Sequence, residues 1–232
     1  MSTARIYRLV SNSPGRSGMF STSTVTMFFK KVNVIQGTQR RTLDDTGRTL
    51  VRAAADLLVA EGPTALTVRR ISTAAGVSTM SLYDRFGDKN GVVDEVFIQG
   101  FESLATSIHR AKNDIENPLE ALAAGLRAYR SWALANRSHC TIMFAQAVAE
   151  YEPSMAAMLV AAEAFAILVA GVARAMDSGQ LAARAPHDVA ASLWAAVHGH
   201  VVLELDGASE KVGVTADHFE LTIATLLRGF GS

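Results

Sequence analysis

The groups most suited to recognition chemistry in this 232-residue chain are concentrated between Thr67 and Lys89. Thr67, Ser78, Thr79, Ser81 and Tyr83 supply hydroxyls, Arg69 a guanidinium, Lys89 an ammonium and Met80 an adaptable apolar side chain. Cations and hydroxyls of this kind bind phosphate oxygens, and an arginine fork can hold the edge of a guanine through paired hydrogen bonds. The competing readings are ordinary ones: a solvated helix charge for Arg69, a packing aromatic for Tyr83, a bare first-turn cation for Lys89. Lys89 is the most pointed case, because a cation at a helix start opposes the helix dipole and an external phosphate would compensate it. The sequence has no glycine-rich phosphate loop, nucleophile elbow or metalloprotease spacing, so enzymatic chemistry has little support.

Short helices must position these residues. From Asp44, Leu50, Val51, Ala54, Leu57 and Leu58 recur at helical spacing until Gly62-Pro63 ends the run. Thr67 is placed to cap a second helix, from Val68 to about Ala75, that carries Val68, Ile71 and Ala75 on one face. Gly76 permits a sharp turn, since glycine adopts positive φ at little cost, and Ser78 is placed to cap a third helix up to Phe86. The spacing is that of a helix-turn-helix, with Ile71, Val77 and Leu82 as its small core. Thr79, Met80, Ser81 and Tyr83 are then left outward, small or hydrogen-bonding, as entry into a groove about 12 Å wide requires. A fourth helix opens near Lys89 and buries Val92, Val93, Val96, Phe97 and Phe101.

The run Gly76-Val-Ser-Thr-Met-Ser-Leu-Tyr83-Asp-Arg-Phe86-Gly-Asp-Lys89 resembles the signature of the TetR family of bacterial regulators. The resemblance extends over Leu50 to Phe97, including Ala53-Ala54, Gly62 and Leu66-Thr67. It implies that the third helix reads a major groove, that Tyr83 and Lys89 grip phosphates, and that Arg69 reaches a base. Arg85 stands where the family often has His, Asn90 where an acid is usual and Ser72 where Ala is usual. The later Trp194-Ala-Ala-Val-His198-Gly199 resembles a Trp-His-Gly subgroup of the family's regulatory domains. By the same resemblance, residues 188–205 and 216–230 pack against their counterparts in a homodimer, with Ala195, Ala196 and Gly199 permitting close approach. Two readers about 34 to 36 Å apart would then match a pseudo-palindromic operator in double-stranded DNA.

Charge supports a polyanion at one end. The formal net charge is zero, yet residues 1–89 hold 13 basic against 6 acidic residues, +7, and residues 90–232 hold 9 against 16, −7. Residues 1–42 lack a helical period and read as a disordered extension, either a functional arm ending in Gln39-Arg40-Arg41 or a mis-assigned start upstream of Met19 or Met27. Residues 43–90 read as the DNA-binding domain and 91–232 as a helical regulatory and dimerisation domain. Its helices are expected near 118–136, 138–149, 153–177, 187–205 and 215–230, separated by proline and glycine signals. The whole is all-α, with about nine helices and no strand.

Arg127, Trp132, His139, Met143, Phe144, Met155, Met158, Phe165, Trp194 and His198 are candidates to line a site for a small hydrophobic effector, and a plain core is the competing reading. No metal or cofactor is expected: His198 and His200 point apart on a helix, and the lone Cys140 adjoins His139 directly. With neither a charge-free apolar span nor a secretory signal, the expected location is cytoplasmic. The expected role is a repressor released by its effector, with activation a variant. A carrier that binds a lipid-like molecule without reading DNA is the alternative, and an enzyme using His139 or Cys140 is a remote third.

Overall fold

In the computed structural model, the described residues are 42–145, 148 and 151–231. The N-terminal extension and its basic Gln39-Arg40-Arg41 lie outside them. The described residues form ten α-helices and no β-strand. Four make the N-terminal run: α1 (Asp45–Glu61), α2 (Val68–Ala74), α3 (Thr79–Phe86) and α4 (Lys89–Lys112). Six follow: α5 (Pro118–Ala135), α6 (Arg137–Phe144), α7 (Met155–Asp177), α8 (Pro186–Leu205), α9 (Ala208–Val212) and α10 (Ala216–Gly229).

Their starts are chemically marked. Asp44 accepts from the Gly47 N–H at 2.7 Å, Thr67 from Arg70, Ser78 from Ser81, and Asn117 from both Leu119 and Glu120. Each satisfies backbone donors that a first helical turn leaves without partners. Proline at the first position of α5 and α8 removes one such donor altogether. Gly76, at φ 66°, makes the turn between α2 and α3.

The chain divides into two compact units. One comprises residues up to Ile98 together with Thr141–Leu159; the other comprises Gln99–Cys140 and residues from Val160 onward. The helices α4, α6 and α7 each continue from one unit into the other. In the first unit, Leu50, Ala54, Leu58, Ile71, Leu82, Val92 and Val93 are wholly removed from solvent. Burying each larger apolar side chain contributes about 1.5–3 kcal/mol, which is how helices of seven and eight residues are held. Leu57 and Val77 are only half-buried. In the second unit, α8 packs on both α5 and α10 around Leu126, Tyr129, Leu193, Val197, Val201, Phe219 and Ile223.

Two elements differ from the sequence reading. Helix α6 ends at Phe144 instead of near residue 149, and the short α9 lies between Gly207 and Gly213, both with left-handed φ. Helix α7 is long and apolar enough to cross a membrane by length and composition, but Glu163 interrupts it.

Candidate nucleic-acid interface

The placement of α3 begins with α1. Asp44, having capped α1, also takes the Arg85 guanidinium from α3: Nε donates to its two oxygens at 2.9 and 3.0 Å, and Nη2 donates at 2.7 Å. Arg85 Nη1 donates further to the Ser81 carbonyl at 3.1 Å. The Arg85 hydrogen bonds, followed by that from Gly47, hold the Asp44 carboxyl at about 2, below its ordinary 3.8. A forked, charge-assisted contact fixes orientation as well as distance, so the carboxylate sets the angle of α3 on α1. Across the far end of α3, Asp88 accepts from the Gly91 N–H at 3.1 Å and starts α4. There the first turn of α4 comes so close to α3 that a Cβ on Gly91 would lie 2.2 Å from the Phe86 carbonyl oxygen.

Held in this way, the sequence-predicted residues fall into three groups. Thr67 and Ser78 are exposed helix caps, and the Ser78 hydroxyl also lies 3.0 Å from that of Ser81. Arg69, Thr79, Met80 and Tyr83 are exposed, with Met80 63% and Tyr83 49% accessible. Arg69 and the Tyr83 hydroxyl have no partner among the described residues, whereas the neighbouring Arg70 is paired with Glu61. Ser81 and Lys89 are half-buried, Lys89 as the first residue of α4. Among the described residues, Arg69 is thus a guanidinium whose hydrogen-bonding capacity is uncommitted, on an exposed face, which is the condition for contacting an external anion or base edge.

The sequence reading missed the Arg85–Asp44 clamp and a second anchor in the same unit. Asp94 of α4 accepts from the Tyr151 hydroxyl at 2.9 Å, the Ser154 N–H at 2.9 Å and the Ser154 hydroxyl at 2.5 Å. Ser154 in turn accepts from the Ala157 N–H, so the residue that starts α7 is bonded to α4. Burial, then the adjacent Asp94 charge, pushes the Tyr151 phenol far above its ordinary range, which keeps it a donor. No local pattern announces this anchor.

The candidate effector residues are distributed between the units. Met143, Phe144, Met155 and Met158 belong to the first, with Met155 70% exposed; Arg127, Trp132, His139, Phe165, Trp194 and His198 belong to the second. The second unit contains a continuous ring series. Tyr129 Oη lies 2.7 Å from His198 Nδ1, Trp194 stacks on His198 with centroids 5.3 Å apart, and Phe165 meets Trp194 edge-on at 6.1 Å and His187 at 5.5 Å. Burial lowers the pKa of both His198 and His139, favouring neutral imidazoles. Arg127 is held by Glu220 through Nε and Nη2 at 2.7–2.9 Å, and the Trp132 indole donates to Ser103 at 3.0 Å. A groove of about 520 Å³ beside that indole is lined by Ser103, Thr106, Ser107, Arg110 and Trp132. Cys140 is buried, its thiol pushed up to about 12 by desolvation and directed at the Ala133 carbonyl oxygen, 3.7 Å away. Such a thiol is a poor nucleophile near neutrality.

The family profile described as bacterial regulatory proteins, tetR family, matches residues 50–96, and that described as tetracyclin repressor-like, C-terminal domain, matches residues 122–226. No curated protein matches the sequence. Among solved structures, a protein of unknown function from Rhodococcus sp. RHA1 superposes with a TM-score of 0.71 at 24% identity, covering 84% of this chain and all of the other. The TetR family transcriptional regulator PfmR from Thermus thermophilus gives 0.57 at 19% identity, over 75% of this chain and 97% of its own. RolR in complex with resorcinol gives 0.59 at 17% identity, over 80% and 87%. At these identities the superpositions show a shared fold.

Proposed function

Because this chain belongs to the TetR family and is a DNA-binding transcriptional regulator, we propose that it acts as a homodimeric repressor released from a pseudo-palindromic operator by a small hydrophobic effector. We assign reading to residues 43–90 and regulation to 91–232, in a cytoplasmic protein. The observation that carries the reading role is α3 itself, clamped by Arg85 to Asp44 while Thr79, Met80 and Tyr83 remain outward. Fixing a helix while leaving such a face exposed serves entry into a groove. In this reading Tyr83 and Lys89 hold phosphates, Arg69 reaches a base, and Thr67, Ser78 and Ser81 set the register of the helices and donate their hydroxyl protons to DNA phosphates.

Dimerisation is supported by the outward faces of α8 and α10. Ala195, Gly199, Val202 and Leu203 are exposed on α8, and Leu221, at 62%, on α10. Small residues let helices approach closely, and exposed Val and Leu gain by being covered. For the effector we assign the ring series of Phe165, Trp194 and His198, with Tyr129 and His198 as its polar pair. RolR, of the same fold, binds resorcinol, a small aromatic compatible with such a lining. Release follows if the effector prefers a conformer in which α4, which runs on from the reader, is displaced.

The experiment is selection of bound sequences from random and genomic DNA by the full chain at near-physiological salt, with Tyr83→Ala and Lys89→Ala in parallel. A recovered palindrome, bound more weakly by both variants to a similar degree on every sequence, is expected. Salt-sensitive binding with no sequence preference would refute the repressor reading in favour of a carrier.

A further inference from the structure

Helix α3 shows an imbalance between what it could donate and what it exposes. Its strongest donor, Arg85, is consumed by Asp44 and the Ser81 carbonyl oxygen, and the Ser81 hydroxyl lies against that of Ser78. Asp84, one turn beyond Met80, carries a charge that phosphates repel. The leading turn therefore presents Thr79 and, most prominently, Met80, whose side chain makes no hydrogen bond among the described residues and is 63% accessible. Leaving a thioether in water forgoes the gain that burial would bring, and only an apolar contact recovers it. In a major groove the apolar group on a base edge is the C5-methyl of thymine, and the unbranched methionine side chain can adapt its length to reach it.

We propose that Met80 is a specificity-determining residue that reads a thymine methyl in each operator half-site. The inference rests on the repressor reading and adds a base preference to it. It also accounts for Arg85: the α3 guanidinium positions the helix instead of reading a guanine, so discrimination on this helix is apolar.

The test uses the full chain and the duplex recovered by selection, with half-site thymines replaced one at a time by deoxyuridine. This removes only the methyl group and leaves every hydrogen-bonding edge intact. One position per half-site is expected to bind about fourfold more weakly when substituted, and roughly 15-fold when both half-sites are changed, the effect of withdrawing one buried methyl each. Met80→Ala and Met80→Gln, both at an exposed position, should bind the thymine and uracil duplexes equally. A palindrome in which every uracil is tolerated, or a discrimination that survives unchanged in both variants, would overturn the inference and leave specific DNA binding standing. Recovery of no preferred sequence would overturn the repressor reading beneath it.

Discussion

Replacing Gly91 with alanine should disturb DNA reading from a position that touches no DNA-facing side chain. In an ordinary helix this change is stabilising by about 1 kcal/mol, because alanine gives up less conformational entropy. Here the added Cβ would stand 2.2 Å from the Phe86 carbonyl oxygen, 3.0 Å from its carbon and 3.1 Å from the Phe86 Cβ. A carbon meets a carbonyl oxygen comfortably at about 3.3 Å, so the first turn of α4 and the end of α3 must separate by about 1 Å. The obstacle is backbone, and no rotamer change relieves it. Overpacking of this kind costs about 1–3 kcal/mol, which offsets the propensity gain and leaves the variant less stable by roughly 1 kcal/mol. A shift of that size in α3 should also forfeit a base contact per half-site, worth about 1–3 kcal/mol or some 5- to 150-fold in affinity. Thermal unfolding and operator titration of Gly91→Ala, beside Gly229→Ala where nothing lies within 4 Å, measure both effects. A Gly91→Ala protein as stable as the parent, with undiminished operator affinity, would refute the steric argument.

Other expectations follow from the same geometry. Asp44 is held at about 2, so the unfolded chain takes up its proton first as acid is added; the stabilisation is full above 3.8 and fades as pH falls towards 2. The melting temperature should drop over that window, and Asp44→Asn should flatten the drop; an identical slope in the variant would argue against the clamp. Leu221→Lys should yield a folded monomer in sedimentation at micromolar concentration, and persistence of the dimer would move the interface elsewhere. With its pKa raised from 9.0 to about 12, Cys140 should react with a thiol reagent at pH 8 on the order of a thousandfold more slowly in the native than in the denatured chain. Rapid native labelling would show that the thiol is not shielded.

What the sequence discloses here is local, and what it conceals is distant. Helices α1 to α4 are readable because apolar residues repeat at helical spacing and because Thr67 and Ser78 cap as their side chains allow. Leu57 and Val77 were expected deeper than they lie, since periodicity gives a face but not its depth. The early end of α6 could not be foreseen: its continuation has good helix formers, but Tyr151 and Ser154 bond instead to Asp94, 57 and 60 positions away. Helix α9 is too short for an apolar period. At the interface, the outward Thr79, Met80 and Tyr83 were readable from the helix-turn-helix pattern. Arg85 stood out only as a departure from a familiar motif, because its partner Asp44 lies 41 residues upstream.

The continuity of α4, α6 and α7 across the two compact units has a bearing on how this protein can be cut or recombined. A fragment ending just after the reading residues would retain the clamp but sever α4. One ending at Ile98 would keep Asp94 but lose Tyr151 and Ser154, leaving a carboxylate stripped of three donors. Grafting a foreign operator specificity onto this regulator should therefore succeed best by exchanging the α2–α3 surface within the parent chain. A transplant of the whole unit would have to bring residues 141–159 with it, as a second segment inserted far from the first.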